Sequence, residues 1–140
     1  MTKMRKKDHC PSCGLTGMKP FTNRDFTASC KHVAVDVRGL SGLECVDDSC
    51  KEIVFKDASA KLYAAASDKA VALYRGERLR EIRLKLGLTQ LEMIRKVSGG
   101  GHNAISRYEN GEVCVPTPLW VLLGLLDKRP ELINEIRVTF

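Results

Sequence analysis

Two cysteine knuckles narrow what this chain can become more than any other feature. Cys10 and Cys13 stand in CPSCG, and Cys45 and Cys50 stand in CVDDSC. Two residues between thiols let one small turn present both sulfurs to a single ion at a Zn–S distance of about 2.3 Å, and Gly14 lets the backbone bend back towards them. One turn supplies only half a tetrahedron, so a second knuckle must come from further along the chain. Cys45 with Cys50 is the natural source. Thiolates from Cys10, Cys13, Cys45 and Cys50 would close one structural zinc site per chain and keep water out. The C-x4-C spacing of the second knuckle is at the long end of the usual range for structural zinc. Asp48 stands where a C-x2-C knuckle would put its second cysteine, and zinc accepts carboxylate oxygen. Cys30 and His32 are further donors, and buried thiols without a metal are the plain alternative.

Six cysteines in 140 residues are not the density of a disulfide scaffold. The start, MTKMRKKDHC, is basic but leads into no apolar stretch, so it does not read as a secretory leader. No run approaches the roughly 18 apolar residues of a membrane span. A cytoplasmic protein with reduced thiols is therefore expected. The length allows two small domains, each near the size at which a core alone is marginal and a metal helps. A net charge of +6 suits a polyanionic partner but is spread along the chain, which weakens the indication. CPSC could also serve a thiol–disulfide enzyme, but such a pair normally opens a helix in a βαβ setting. A basic, loop-like start precedes it here, and no catalytic residues are expected.

The organisation reads as an α+β zinc-binding domain over 1–75 joined to an all-α, five-helix helix-turn-helix domain over 76–140. HVAVDVRGL alternates apolar Val33, Val35 and Val37 with polar neighbours, the pattern of a half-buried strand, and GLECVDDSCKEIVF should add a strand and a turn. Asp57 opens an alanine-rich linking helix with Leu62, Ala65, Ala66, Ala70 and Leu73 at helical spacing. Arg75-Gly76 is the expected boundary. Beyond it, Leu79, Ile82 and Leu86 share a helix face, and Gly87 is placed to end that helix left-handed. TQLE is a capping box, with Thr89 and Glu92 opening a helix expected to bury Leu91 and Ile94. A third helix should cover about His102 to Glu109. Thr117-Pro118 should start a fourth and Pro130 a fifth, PELINEIRV.

The segment TQLEMIRKV, then SGGG, then HNAISRYEN has the order of a helix-turn-helix. Glycine in the turn permits positive φ and a close helix approach. On the third helix Ile105 and Tyr108 should face inward, leaving Asn103, Ser106 and Arg107 outward. Asn103 and Arg107 lie at i, i+4, and their chemistry suits adenine N6/N7 and guanine O6/N7. Plainer roles are a helix-start cap for Asn103 and a surface ion pair for Arg107. Gln90, Ser106, Arg95 and Lys96 are candidates to hold phosphates. Such motifs work as two-fold dimers on double-stranded DNA, and the region from Trp120 is expected to help dimerise.

From GLTQ through GGGHNAISRYENG to LLDKRPELINEIR, the chain closely resembles the C-terminal domain of the MqsA antitoxins, within the XRE-type helix-turn-helix group. CPSCG followed by a valine-rich strand and GLECV resembles the zinc-binding N-terminal domain of that family. The resemblance implies a dimeric repressor binding a palindromic operator in its own promoter. It also implies an N-terminal domain that neutralises an mRNA-cleaving ribonuclease toxin, with structural zinc and no catalysis. Asn103 and Arg107 match the family's base-reading positions, and Cys10, Cys13 and Cys45 match its zinc ligands. The family's fourth cysteine falls where this chain has Asp48, with Cys50 two residues later. A stand-alone, phage-type regulator without a toxin is the alternative.

Overall fold

The computed structural model describes residues 9–136. The basic start that was read as no leader, apart from His9 and Cys10, lies outside them. Two compact units are present. One is drawn from the residues up to Ala28 together with Val35–Ser67; the other comprises Ser29–Ala34 and the residues from Asp68 onward.

The first unit holds a three-stranded sheet in the order β1-β2-β3: Lys19–Cys30 (β1), Val33–Glu44 (β2) and Ile53–Phe55 (β3). β3 pairs antiparallel with β2, Leu43 opposite Val54. Val33, Val35 and Val37 are half-buried between exposed neighbours, as the alternation required. β1 was not expected, and its burial pattern explains why. Phe21 faces the core at an odd position, whereas Phe26 and Ala28 do so at even ones. The phase changes near Asn23, whose φ is 51°, and β2 makes the matching change near Gly39, with φ 71°. Each site inserts one residue, in the manner of a bulge, and so destroys the period of two that a sequence scan seeks. The Asp25 carboxylate ties the pair of irregularities by accepting from the Gly39 N–H at 3.0 Å.

Aromatic rings fill the sheet's inner face. Phe55 lies 5.0 Å from Phe26 and 4.9 Å from Tyr63 between ring centroids, and Phe21 stands 5.6 Å from Phe26. Gly42 is demanded here, because a Cβ on it would fall 2.3 Å from the Val54 carbonyl oxygen.

The expected linking helix and the first helix after it are one helix, α1, Asp57–Lys85. Arg75 and Gly76 lie inside it. Glycine at 76 is there for approach and not for a break: a Cβ would sit 2.1 Å from the Tyr108 carbonyl oxygen. Three further α-helices follow: Gln90–Met93 (α2), Ala104–Glu109 (α3) and Thr117–Lys128 (α4). The described residues thus hold four α-helices, and the expected five-helix domain is corrected accordingly. The fifth predicted helix is a 3₁₀ turn over Pro130–Asn134, and its residues Arg137 and Val138 lie outside the description.

Gly87 ends α1 with φ 70°, its N–H donating to Leu84 O and that of Leu88 to Arg83 O, as a left-handed cap does. Thr89 and Glu92 form the reciprocal capping box that opens α2. That helix widens into a π turn over Ile94–Ser98, closed by the Gly99 N–H on Ile94 O at 2.8 Å. Met93, Ile94 and Val97 are buried, while Leu91 is 46% exposed. The expectation for Leu91 therefore fails. Gln90 is turned inwards by its own hydrogen bond, and the next residue lies about 100° round the helix, on the outside. Leu79, Ile82, Leu88, Met93, Ile105, Val115, Leu123 and Leu126 complete the core of the second unit.

The glycine triplet separates by conformation. Gly99 (φ 66°) and Gly100 (φ 93°) take backbone shapes that L side chains rarely adopt, whereas Gly101 has ordinary φ and open space around a Cβ. Alanine at 99 or 100 is expected to destabilise the protein by about 1–3 kcal/mol, and alanine at 101 to change it by less than about 0.5 kcal/mol. Urea unfolding of the three variants checks the order.

Candidate functional site

The four cysteines converge. The Sγ atoms of Cys10, Cys13, Cys45 and Cys50 all lie within 4.8 Å of one another. Cys13 is 3.5 Å from Cys45, and Cys10 is 3.7 Å from Cys50. Those separations are far longer than a disulfide, at about 2.05 Å. They match the edge of about 3.8 Å that follows for a tetrahedron of sulfurs each 2.3 Å from a central ion. The donor set therefore fits a metal ion. The group contains Cys50 and not Asp48, Cys30 or His32.

Local hydrogen bonds build both knuckles. The Cys10 N–H donates to Leu15 O and the Gly14 N–H to Cys10 O, with Gly14 at φ 77°. CPSC lies in a turn and opens no helix. In the second knuckle Asp47 does the work that two extra residues require. Its carboxylate accepts from the Ser49 N–H and hydroxyl at 2.9 and 2.7 Å, and its carbonyl accepts from the N–H groups of Cys50 and Lys51. Those bonds fold VDDS back on itself and return Cys50 to the cluster. The Ser49 hydroxyl and N–H also hold the Asp47 carboxyl below its ordinary range.

The thiols are electrostatically unequal. The Cys13 N–H facing its sulfur, helped by that of Ser12, holds Cys10 at about 7 against the effect of burial. The Asp47 N–H favours the Cys45 thiolate, but burial and the neighbouring sulfurs of Cys13, Cys10 and Cys50 outweigh it and push that thiol up to about 12. Without a cation, four sulfurs this close cannot all ionise near neutral pH. A divalent ion would replace the missing protons, so metal retention must weaken on acidification.

The second candidate surface lies on α3. Asn103 and Arg107 are exposed and Ile105 is fully buried, as expected, with Ser106 and Tyr108 half-buried. Asn103 precedes the helix but makes no side-chain cap, so its amide is free of that plainer role. Arg107 does make an ion pair, Nε to Glu112 Oε2 at 3.5 Å, with both side chains 58% exposed. Arg95 and Lys96 are exposed on the π turn.

Sequence reasoning missed what holds α3. Arg83, at the end of α1, is buried and donates from Nε to Glu109 Oε1 at 2.6 Å and from Nη2 to Oε2 at 3.4 Å. Its Nη1 donates to Leu88 O at 2.9 Å. Gln90 Nε2 also donates to Glu109 Oε2, at 2.9 Å, so the side-chain donor once assigned to phosphate is engaged inside the protein. The available signal was an arginine on the face of α1 that carries Leu79 and Ile82, with a glutamate closing SRYE.

A family model for the antitoxin component of bacterial toxin–antitoxin systems, MqsA, matches residues 4–137. Antitoxin MqsA of Escherichia coli (strain K12) is 36% identical over 140 residues, covering 91% of this chain and 98% of that protein.

Cys50→Ser is expected to weaken metal retention strongly and Asp48→Asn to leave it unchanged, as read by metal analysis after dialysis against a chelator; equal retention would remove Cys50 from the ligand set. Glu109→Ala leaves the Arg83 charge buried without a counter-ion, with only Leu88 O still accepting from it, and is expected to cost about 3–5 kcal/mol, read by denaturant unfolding.

Proposed function

This chain belongs to the MqsA antitoxin family, and on that footing we propose that it is the antitoxin of a type II toxin–antitoxin pair. In this reading it is a cytoplasmic, dimeric repressor of its own operon that also neutralises an mRNA-cleaving toxin. It works by binding and not by catalysis. Residues 1–75 form the toxin-facing zinc domain, and residues 76–140 bind DNA and dimerise.

The observation that carries the reading is the outward exposure of Asn103, just before α3, and of Arg107, on a helix whose other side is fixed in a core. Asn103 can bond the N6/N7 edge of adenine and Arg107 the O6/N7 edge of guanine in the major groove. Ser106, Arg95, Lys96 and the backbone N–H of Gln90 at the start of α2 hold phosphates on either side, positioning the helix without reading sequence. On α4, Val121 and Leu125 are 57% and 51% exposed on one face. A second copy covering that face would give the two-fold arrangement that matches a palindrome.

Zinc is the metal that four thiolates select, and its contribution is structural: a closed site that cross-links the two knuckles. Cys10, Cys13, Cys45 and Cys50 would hold it, one ion per chain.

Band-shift titration on the chain's own promoter tests the repressor half. Asn103→Ala and Arg107→Ala are each expected to lose about 1–3 kcal/mol on the specific site, whereas Lys96→Ala should weaken all sequences alike and reduce the salt slope by about one. Unchanged sequence preference in both Asn103 and Arg107 variants would refute the base-reading role. Co-expression with the neighbouring reading frame, followed by a pull-down, tests the antitoxin half.

A further inference from the structure

Arg107 has a charged neighbour that the proposed reading leaves unexplained. The Glu112 carboxylate meets the Nε side of its guanidinium, leaving the two terminal nitrogens as the edge able to grip a base. The turn that carries Glu112 is held from several directions. Its N–H and that of Val113 both donate to the Arg107 carbonyl, at 3.0 and 3.4 Å. Gly111 is buried at φ 70°, where a Cβ would fall 2.7 Å from Leu73 Cδ2. The Gly111 carbonyl accepts from Lys69 Nζ at 2.8 Å. The backbone at Glu112 is thus held, and its side chain starts beside Arg107.

Stability does not account for the pair, because ion pairs this exposed contribute little to folding. We propose that Glu112 is a positioning residue for base recognition, which orients Arg107 towards guanine and disfavours its capture by the phosphate backbone. The inference rests on α3 being the base-reading helix. Two physical effects combine. A carboxylate 3.5 Å from Nε favours by charge the rotamers that keep the guanidinium beside it, which lowers the ordering cost on the correct site. A carboxylate near the duplex repels phosphates, and it does so on every sequence, so only a site that returns a bidentate guanine contact overcomes it.

The two effects predict opposite shifts, which a merely structural residue would not produce. The test uses the full-length, zinc-loaded protein. A pool of randomised duplexes is selected against the wild type, and binding is then titrated on the selected duplex and on a scrambled one. Glu112→Ala is expected to bind the selected duplex more weakly and the scrambled duplex more tightly, so that discrimination falls roughly tenfold, within what one bidentate contact supplies. Glu112→Gln keeps an acceptor beside Nε but loses the charge, so it should gain on both duplexes and keep most of the wild-type discrimination between them. Melting temperatures should stay at the wild-type value. If Arg107→Ala loses guanine preference while Glu112→Ala keeps it, the role of Glu112 is refuted and the base-reading role of Arg107 stands. If Arg107→Ala itself keeps the preference, both fail. Equal weakening on both duplexes by Glu112→Ala would also overturn the proposal, because it would mark general damage to the surface.

Discussion

The second unit depends on the buried pair of Arg83 and Glu109. A six-residue helix such as α3 has too few internal hydrogen bonds to persist alone, since isolated helices shorter than about 12 residues are marginal in water. Its existence and direction are imposed by its neighbours. Ile105 anchors one side in the core, and Arg83 with Gln90 grips the carboxylate at its end. Two apolar side chains of similar volume could fill the space as stably. What an ion pair adds is a single permitted register. Turning α3 by one residue would swing Glu109 through about 100° and strand a guanidinium that is only 10% exposed. The same constraint therefore decides that Asn103 and Arg107 face outward.

The first unit solves a different problem, that of a thin core. Its long strands bury Phe21, Ala28 and Leu40, and Phe26, Phe55 and Tyr63 pack together beside them half-buried. Cys10 and Cys45 supply the buried positions of the knuckles. Sulfur is apolar enough to be buried as a thiol, but four sulfurs in contact have conflicting proton requirements, with Cys10 near 7 and Cys45 near 12. A bound divalent cation would remove the conflict and couple metal to fold. Asp47 is the local device that lets a knuckle at the long end of the usual range reach the same geometry.

Features set by neighbours in sequence were legible, and features set by distant contacts were not. The capping box at Thr89, the left-handed Gly87 and the inward Ile105 follow from local rules, and each stands in the structure. The convergence of four cysteines was legible too, because few other arrangements of CPSC and CVDDSC would serve a metal. β1 escaped because its paired irregularity with β2 shifts the apolar phase in mid-strand. Gly76 misled because glycine has two uses, and nothing nearby told close approach to Tyr108 from a helix end. Leu91 misled because periodicity fixes which residues share a face but not which face turns inward; that choice was made by Gln90 bonding to a glutamate 19 residues away.

The surface of the second unit is divided in a way that bears on the proposed reading of DNA. Outward residues of α3 are polar and few, and one short helix reaches only a handful of base pairs, which limits what a single copy could distinguish. The outward side of α4 carries Val121 and Leu125, with Gly124 exposed beside them and nothing near its Cβ position. An apolar face of this kind favours being covered. In the proposed dimer these two facts are one: the face that gains by burial is what doubles the number of bases read. Arg107 and Asn103 then need only modest individual selectivity, because energies from two half-sites add while the cost of association is met once.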